Sequence, residues 1–147
     1  MVSGLLQQLR PGILDELGLG PALLDLVDSW KYRHKQVKCS IQASGIKEDL
    51  SEANSVAIYR LVQESLTNVA RHAEATEVHI DVYNSSQQGK DGLQVIVKDN
   101  GKGFVSDQTS GFGLPGMRER VEGLGGYLRI TSSAGTEISA WLPNKPY

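Results

Sequence analysis

The hydrophobic period changes once, abruptly, near Thr76, and that change limits the folds open to this chain. Before it, Ile58, Leu61, Val62, Leu66, Val69 and Ala73 recur at helical spacing, which predicts one long helix with a single apolar face. After it, Val78, Ile80 and Val82 alternate with Glu77, His79, Asp81 and Tyr83, the pattern of a strand with one buried face. Leu93, Val95 and Val97 repeat the alternation and end at Asp99, so the polar run Asn84–Asp91 reads as a hairpin loop. A long amphipathic helix feeding a one-sided hairpin specifies a helical layer laid on a sheet.

The flanking segments extend this plan. Val2–Leu9 reads as the tail of a helix, with Leu5, Leu6 and Leu9 on one face, interrupted at Arg10-Pro11-Gly12. Ile13–Leu19 reads as a turn-rich connection, followed by a helix that opens at Pro21 and carries Leu23, Leu24, Val27 and Trp30 inward. Val37–Ala43 alternates and is expected to be a strand, with Cys39 a small buried residue in it. Ser51, with Asn54, is the expected start of the long helix. Gly101–Gly111 is expected to be loop, and Leu114–Leu124 a helix with Met117, Val121 and Leu124 on one face, stopped by Gly125-Gly126. Tyr127–Ser132 and Thr136–Leu142 form a last hairpin about Ala134-Gly135. The expected class is therefore α+β: a sandwich of three-layer type whose mixed, largely antiparallel sheet is covered on one face by helices. At 147 residues this is one domain over residues 11–147. Residues 1–10 are expected to be the end of a preceding helix and a linker, as in a piece of a longer protein.

Composition removes several classes. A formal net charge of −2 and the lack of a dense Lys/Arg run argue against a nucleic-acid binder. The one basic cluster, Lys31-Tyr32-Arg33-His34-Lys35, reads as a solvated helix end. A single cysteine excludes an internal disulfide. No apolar run reaches the roughly 18 residues that span a bilayer, and no signal peptide is visible. The expected setting is the cytoplasm, without membrane contact by this chain.

Three segments carry candidate chemistry. Glu64, Asn68 and Arg71 share one stripe of the long helix, with His72 one position round. An amide oxygen suits Mg²⁺ when phosphates and waters complete the octahedron. A carboxylate one turn earlier can orient a nucleophile, and a guanidinium one turn later can reach phosphate oxygens. Alone, the stripe reads rather as a solvated helix face. Asp99 closes a strand before Asn100-Gly101-Lys102-Gly103 and can accept from an exocyclic amino group, while Gly101 and Gly103 let backbone pass beneath a flat base. Alone, Asn-Gly is a common turn. Gly111-x-Gly113-x-x-Gly116 precedes a helix and can present amides to an anion, but no βαβ unit surrounds it. A lid closing over a triphosphate fits better than a dinucleotide site. Thr136 enters the last strand where its hydroxyl could lie near the base.

Taken together, Glu64…Asn68…His72, Asp99-x-Gly101-x-Gly103 and Gly111-x-Gly113-Leu114-x-Gly116-Met117 resemble the N box and the two glycine boxes of sensor histidine kinase ATP-binding domains. Those domains belong to the gyrase–Hsp90–histidine kinase–MutL superfamily. Leu-Thr-Asn-Val-Ala-Arg-His-Ala, Gly-Met-Arg-Glu-Arg-Val and the Leu9–Leu19 segment are similar to the nitrate-sensor and hexose-phosphate-sensor branch. The resemblance implies ATP and Mg²⁺ as ligands, with Asn68 on the metal and Glu64 as the catalytic acid of the N box. It implies Arg71 on phosphate, His72 lining the nucleotide and Asp99 on the adenine amino group. Gly101 and Gly103 would lie beneath the base. Gly111, Gly113, Leu114 and Gly116 would form the lid, and Thr136 would complete the adenine contact.

The acceptor histidine of such kinases sits on a dimeric helical hairpin, and none of His34, His72 and His79 lies in such a motif. The expectation is a monomeric fragment that binds ATP without phosphorylating itself. Its partners would be its own dimerisation domain and a response regulator with a helix-turn-helix output, in a membrane-anchored parent. The alternatives of the same fold are an anti-sigma-type serine kinase and a non-catalytic nucleotide-binding module.

Overall fold

The computed structural model describes residues 12–43, 45–46, 50–103 and 113–145, apart from the side chains of residues 72, 73 and 133. The expected helix over Val2–Leu9 and the break at Arg10-Pro11 lie outside the described residues. The elements run α1 (Gly12–Leu17), α2 (Leu19–Arg33), β1 (Lys38–Gln42), α3 (Glu52–Asn68), a π-helical turn (Val69–Ala73), β2 (Glu77–Gln87), β3 (Lys90–Asp99), α4 (Leu114–Gly123), β4 (Tyr127–Ser133) and β5 (Gly135–Pro143). The five strands are ordered β1-β2-β3-β5-β4. β1 and β2 are parallel and every other pair is antiparallel, so the sheet is mixed and largely antiparallel as expected. A parallel pair cannot be closed by a tight turn, and α3 is the crossover that closes this one.

The long helix begins where the sequence places it. Ser51 is extended (φ −65°, ψ 156°), and its Oγ accepts from the Asn54 N–H at 3.2 Å, filling one orphan donor of the first turn. Asn54 is fully buried, and its amide donates to the Pro143 carbonyl, which fixes the start of α3 to the end of β5. Ala57, Ile58, Leu61, Val62 and Leu66 are buried against Val78, Ile80 and Val82 of β2, Leu93, Val95 and Val97 of β3, and Ile138, Ala140 and Leu142 of β5. Leu23, Val27 and Trp30 of α2 and Met117 and Val121 of α4 complete one core on one side of the sheet. The other side is polar at β1 and β2, where Ser40 Oγ and His79 Nδ1 share a hydrogen bond of 2.6 Å.

Four expectations are corrected. The Ile13–Leu19 connection is mostly helical, because Leu14 is buried and draws Gly12–Leu17 into a short helix. A break at Gly18, with φ +91°, separates it from α2. That second helix starts at Leu19, which is buried, so Pro21 sits third rather than first; the first turn has no intrahelical use for its missing N–H. Leu24 is 49% exposed, and Leu26 takes its expected place in the core. The run Asn84–Asp91 is not a loop. Pairing continues to Gln87 opposite Lys90 and leaves a two-residue turn at Gln88 (φ 52°) and Gly89 (φ 79°). Two successive left-handed residues match the twist of a hairpin, so polar strands can run to the tip. Trp141 anchors this extension. Its Nε1 donates to the Ser85 carbonyl at 2.8 Å, and its ring lies where a Cβ on Gly92 would be.

Candidate functional site at the ends of α3 and β3

The polar stripe of α3 stands at the helix C-terminal end. Glu64 and Asn68 are half-buried, as expected for residues flanking an apolar face. Just here the helix loosens. Ser65 Oγ donates to the Leu61 carbonyl at 2.7 Å and Thr67 Oγ1 to the Gln63 carbonyl at 3.0 Å, competing with the backbone ladder. The next five residues, Val69–Ala73, are π-helical, and Glu74 ends the turn with φ 53°. The widened turn carries Arg71 off the strict α-helical stripe and leaves it exposed. The side chain of His72 lies outside the described residues.

Asp99 ends β3 close to the exit of that turn. The Asn100 side chain accepts from the N–H groups of both Thr76 and Glu77 at 2.9 Å, so the strand end and the helix exit share one end of the molecule. Asp99 is only 8% exposed and is registered directly opposite Thr136 of β5, itself 9% exposed. Its carboxylate accepts the Gly101 N–H at 2.8 Å. Burial pushes the Asp99 carboxyl above the ordinary carboxylate range, while the N–H groups of Gly101 and Thr136 pull the other way. The result is a desolvated acceptor at a strand end, a suitable partner for a buried donor.

The glycines divide. At Gly103 (φ +72°) a Cβ would sit 2.4 Å from Ser132 Oγ and 3.1 Å from the Gly135 carbonyl, so this loop lies on the β4–β5 turn. Gly113 (φ +72°) precedes α4, and a Cβ there would fall 2.5 Å from Glu64 Oε1. The structure thus brings the Glu64 carboxylate against the start of α4. Leu114 is buried beneath that helix. At Gly116 a Cβ meets nothing within 4 Å, so no close approach among the described residues requires that glycine. Gly111 lies outside the described residues.

Three residues missed by sequence reasoning shape this region. Asn100 looked like half of a turn dipeptide. Gly135 looked like an ordinary hairpin residue, yet at φ +106° a Cβ on it would lie 2.1 Å from the Asp99 carbonyl oxygen. Arg118 Nη1 donates to the Leu128 carbonyl at 2.7 Å, tying α4 to β4; its place in Gly-Met-Arg-Glu-Arg-Val was the available signal. A separate cleft of about 580 Å³, lined by Leu17, Gly20, Ile46, Leu50, Glu52 and Ser55 among others, opens at the amino end of α3. That is roughly 20 Å along the helix from Asn68, too far for one nucleotide site.

The sequence profile of the histidine kinase-, DNA gyrase B- and HSP90-like ATPase family matches residues 53–146, which take in all but the first residue of α3, the sheet from β2 onward and α4. This chain belongs to that ATPase family. Proteins named as histidine kinases are among those it is similar to. The Salmonella typhimurium signal transduction histidine-protein kinase/phosphatase UhpB is 34% identical over 98% of the chain and 28% of that protein. The DegS kinase/phosphatase of Brevibacillus brevis is 38% identical over 97% of the chain and 36% of that protein. The Bacillus subtilis sensor histidine kinase LiaS is 36% identical over 99% and 39%. The chain therefore spans roughly a third of the length of these relatives. A histidine kinase domain from the Erythrobacter litoralis blue-light activated histidine kinase superposes with a TM-score of 0.65 at 25% identity, over 85% of the chain and 60% of that domain. The α+β histidine kinase ATPase fold and the place among sensor histidine kinases are as the motifs indicated. No helix among the described residues is long and apolar enough to cross a membrane.

Proposed function

We propose that this ATPase domain binds ATP with Mg²⁺ and, within a longer sensor kinase, presents the γ-phosphoryl group to a histidine of a dimerisation hairpin for relay to a response regulator aspartate. The observation that carries the reading is Asp99. A carboxylate 8% exposed, fixed by a backbone N–H at 2.8 Å and flanked by Thr136, is prepared for one donor such as the adenine amino group. Asn68 and Glu64 at the nearby helix end supply the phosphate side of the same nucleotide.

Among the described residues no group of three or more His, Cys, Asp or Glu could hold a metal by itself. An Asn68 amide oxygen fits that situation, since Mg²⁺ commonly takes one or two protein ligands and completes its shell with phosphate and water. When bound, the metal supplies charge neutralisation at the phosphates. Arg71, exposed beyond the π turn, adds a cation that can swing to phosphate oxygens. Glu64 accepts or orients the proton of the incoming imidazole; its carboxylate lies beside Gly113, where the lid begins. Positioning and electrostatics, rather than covalent chemistry by these residues, provide the rate.

A fluorescent ATP analogue titrated with and without Mg²⁺ tests the binding reading. Mg²⁺-dependent saturation is expected, and its absence would leave a non-catalytic module of the same fold. The transfer reading has its own test with labelled ATP. The isolated chain is expected to acquire no phosphohistidine, and a labelled His34, His72 or His79 refutes this. In a full-length kinase carrying this domain, Glu64→Gln is expected to leave ATP affinity within about twofold and slow transfer by about 10²-fold or more. Equal transfer rates remove Glu64 from the chemistry.

A further inference from the structure

Asp99 can recognise a base only if the peptide that carries it is held still, and the strand ladder ends at that residue. Asn100, the next residue, performs the holding. Its Oδ1 accepts from Thr76 N and Glu77 N, both at 2.9 Å, and its Nδ2 donates to Thr76 Oγ1 at 2.9 Å. Its own backbone N–H donates to the Glu77 carbonyl at 3.2 Å. These contacts tie the end of β3 to the segment that leaves the π turn after Asn68. From the other side Gly135 packs against the Asp99 carbonyl and lies 3.1 Å, measured from an ideal Cβ, from the Asn100 Cα. The Asp99–Asn100 peptide is thus clamped between a hairpin and a helix exit. An ion pair across this corner, Lys102 to Glu74 at 3.9 Å, joins two side chains that are 60% and 77% exposed. A pair so exposed contributes little to fixing geometry.

We propose that Asn100 is a positioning residue for base recognition: by clamping the Asp99 peptide to the exit of the N-box helix it sets how well the domain distinguishes a purine with a 6-amino group from one without. The proposal rests on the assignment of Asp99 to the adenine amino group. Asn is required for its acceptor, which takes two N–H groups at once, more than for its donor. Thr76 can turn its hydroxyl, so a carboxylate at position 100 keeps both N–H bonds and gains the threonine as donor.

The test uses competition titrations of ATP and of purine riboside triphosphate, which lacks the amino group, against a fluorescent ATP analogue. Wild type, Asn100→Ala, Asn100→Asp and Asp99→Asn are compared at a temperature where all four are folded. Asn100→Ala is expected to weaken ATP about fivefold or more, leave the aminoless analogue within about twofold, and so lower the discrimination ratio toward one. Asn100→Asp is expected to restore the ratio to within about twofold of wild type. A purely structural role would weaken both nucleotides together and leave the ratio unchanged, which overturns the proposal, as does an Asn100→Asp variant no better than Asn100→Ala. Unchanged ATP affinity in Asp99→Asn sinks the adenine assignment itself. A weakened Asp99→Asn beside an unaffected Asn100→Ala sinks only the role of Asn100.

Discussion

Asp99→Asn weakens ATP binding by about 1–3 kcal/mol, roughly 5- to 150-fold, while the nucleotide-free domain melts no lower than wild type. The two effects have one origin. Burial of the carboxylate outweighs the N–H groups of Gly101 and Thr136, so its charge is unfavourable in the empty fold and gains a further donor only when the base binds. An amide keeps an oxygen for the Gly101 N–H but presents a donor on its other arm, which opposes the adenine amine. Calorimetric titration gives the first number and thermal melts give the second; unchanged affinity means the base sits elsewhere.

The same substitution isolates a pH dependence. Because burial raises the Asp99 pKa from its ordinary 3.8, the folded state binds this proton more tightly than the unfolded chain. Stability from this group is unaffected below 3.8, falls as pH rises from there through the raised folded value, and stays at the lower level above it. Melting curves of wild type and Asp99→Asn from about pH 3 to about pH 7 should therefore diverge across that window. A difference that does not vary with pH rejects the desolvation argument.

Gly135→Ala destabilises the fold by about 2–4 kcal/mol and lowers the melting temperature by roughly 10 °C. At φ +106° an L-residue is strained whatever the space, and here the added methyl would also lie 2.1 Å from the Asp99 carbonyl oxygen. That oxygen belongs to a clamped peptide and cannot recede alone. Relief requires the β4–β5 hairpin to lift, which also separates Thr136 from Asp99, so affinity for ATP falls with stability. Chemical denaturation measures the cost. A loss below about 0.5 kcal/mol would mean that the hairpin is not seated on this peptide.

The long helix was legible because its signals agree: Ser51 caps it, Glu52 favours its first turn, and the apolar residues keep a strict period. The inner faces of β2 and β3 were legible for the same reason. The hairpin tip was not. Asn84 and Ser86 continue the face that Val78, Ile80 and Val82 bury, yet are exposed at the tip, and polarity alone cannot separate a solvated strand from a loop. Leu24 is exposed because the buried stripe of α2 runs through Leu19, Leu23, Leu26, Val27 and Trp30, and packing decided which side of Leu23 that stripe takes. In the candidate site, residue types and spacing marked Glu64, Asn68, Asp99 and the glycines. They did not reveal the π turn that displaces Arg71, nor the contact between Glu64 and Gly113.

By itself, the sequence determined the periods, the Ser51 cap of the long helix and the order of three chemistry-bearing segments, because these are properties of neighbours along the chain. Only the tertiary structure decided which segments meet. Asn100 reaching Thr76 and Glu77, and Gly135 pressed on Asp99, join residues more than twenty positions apart. Such contacts follow from sheet order and register, which arise when the helices and strands bury one shared apolar face, and no local pattern encodes them.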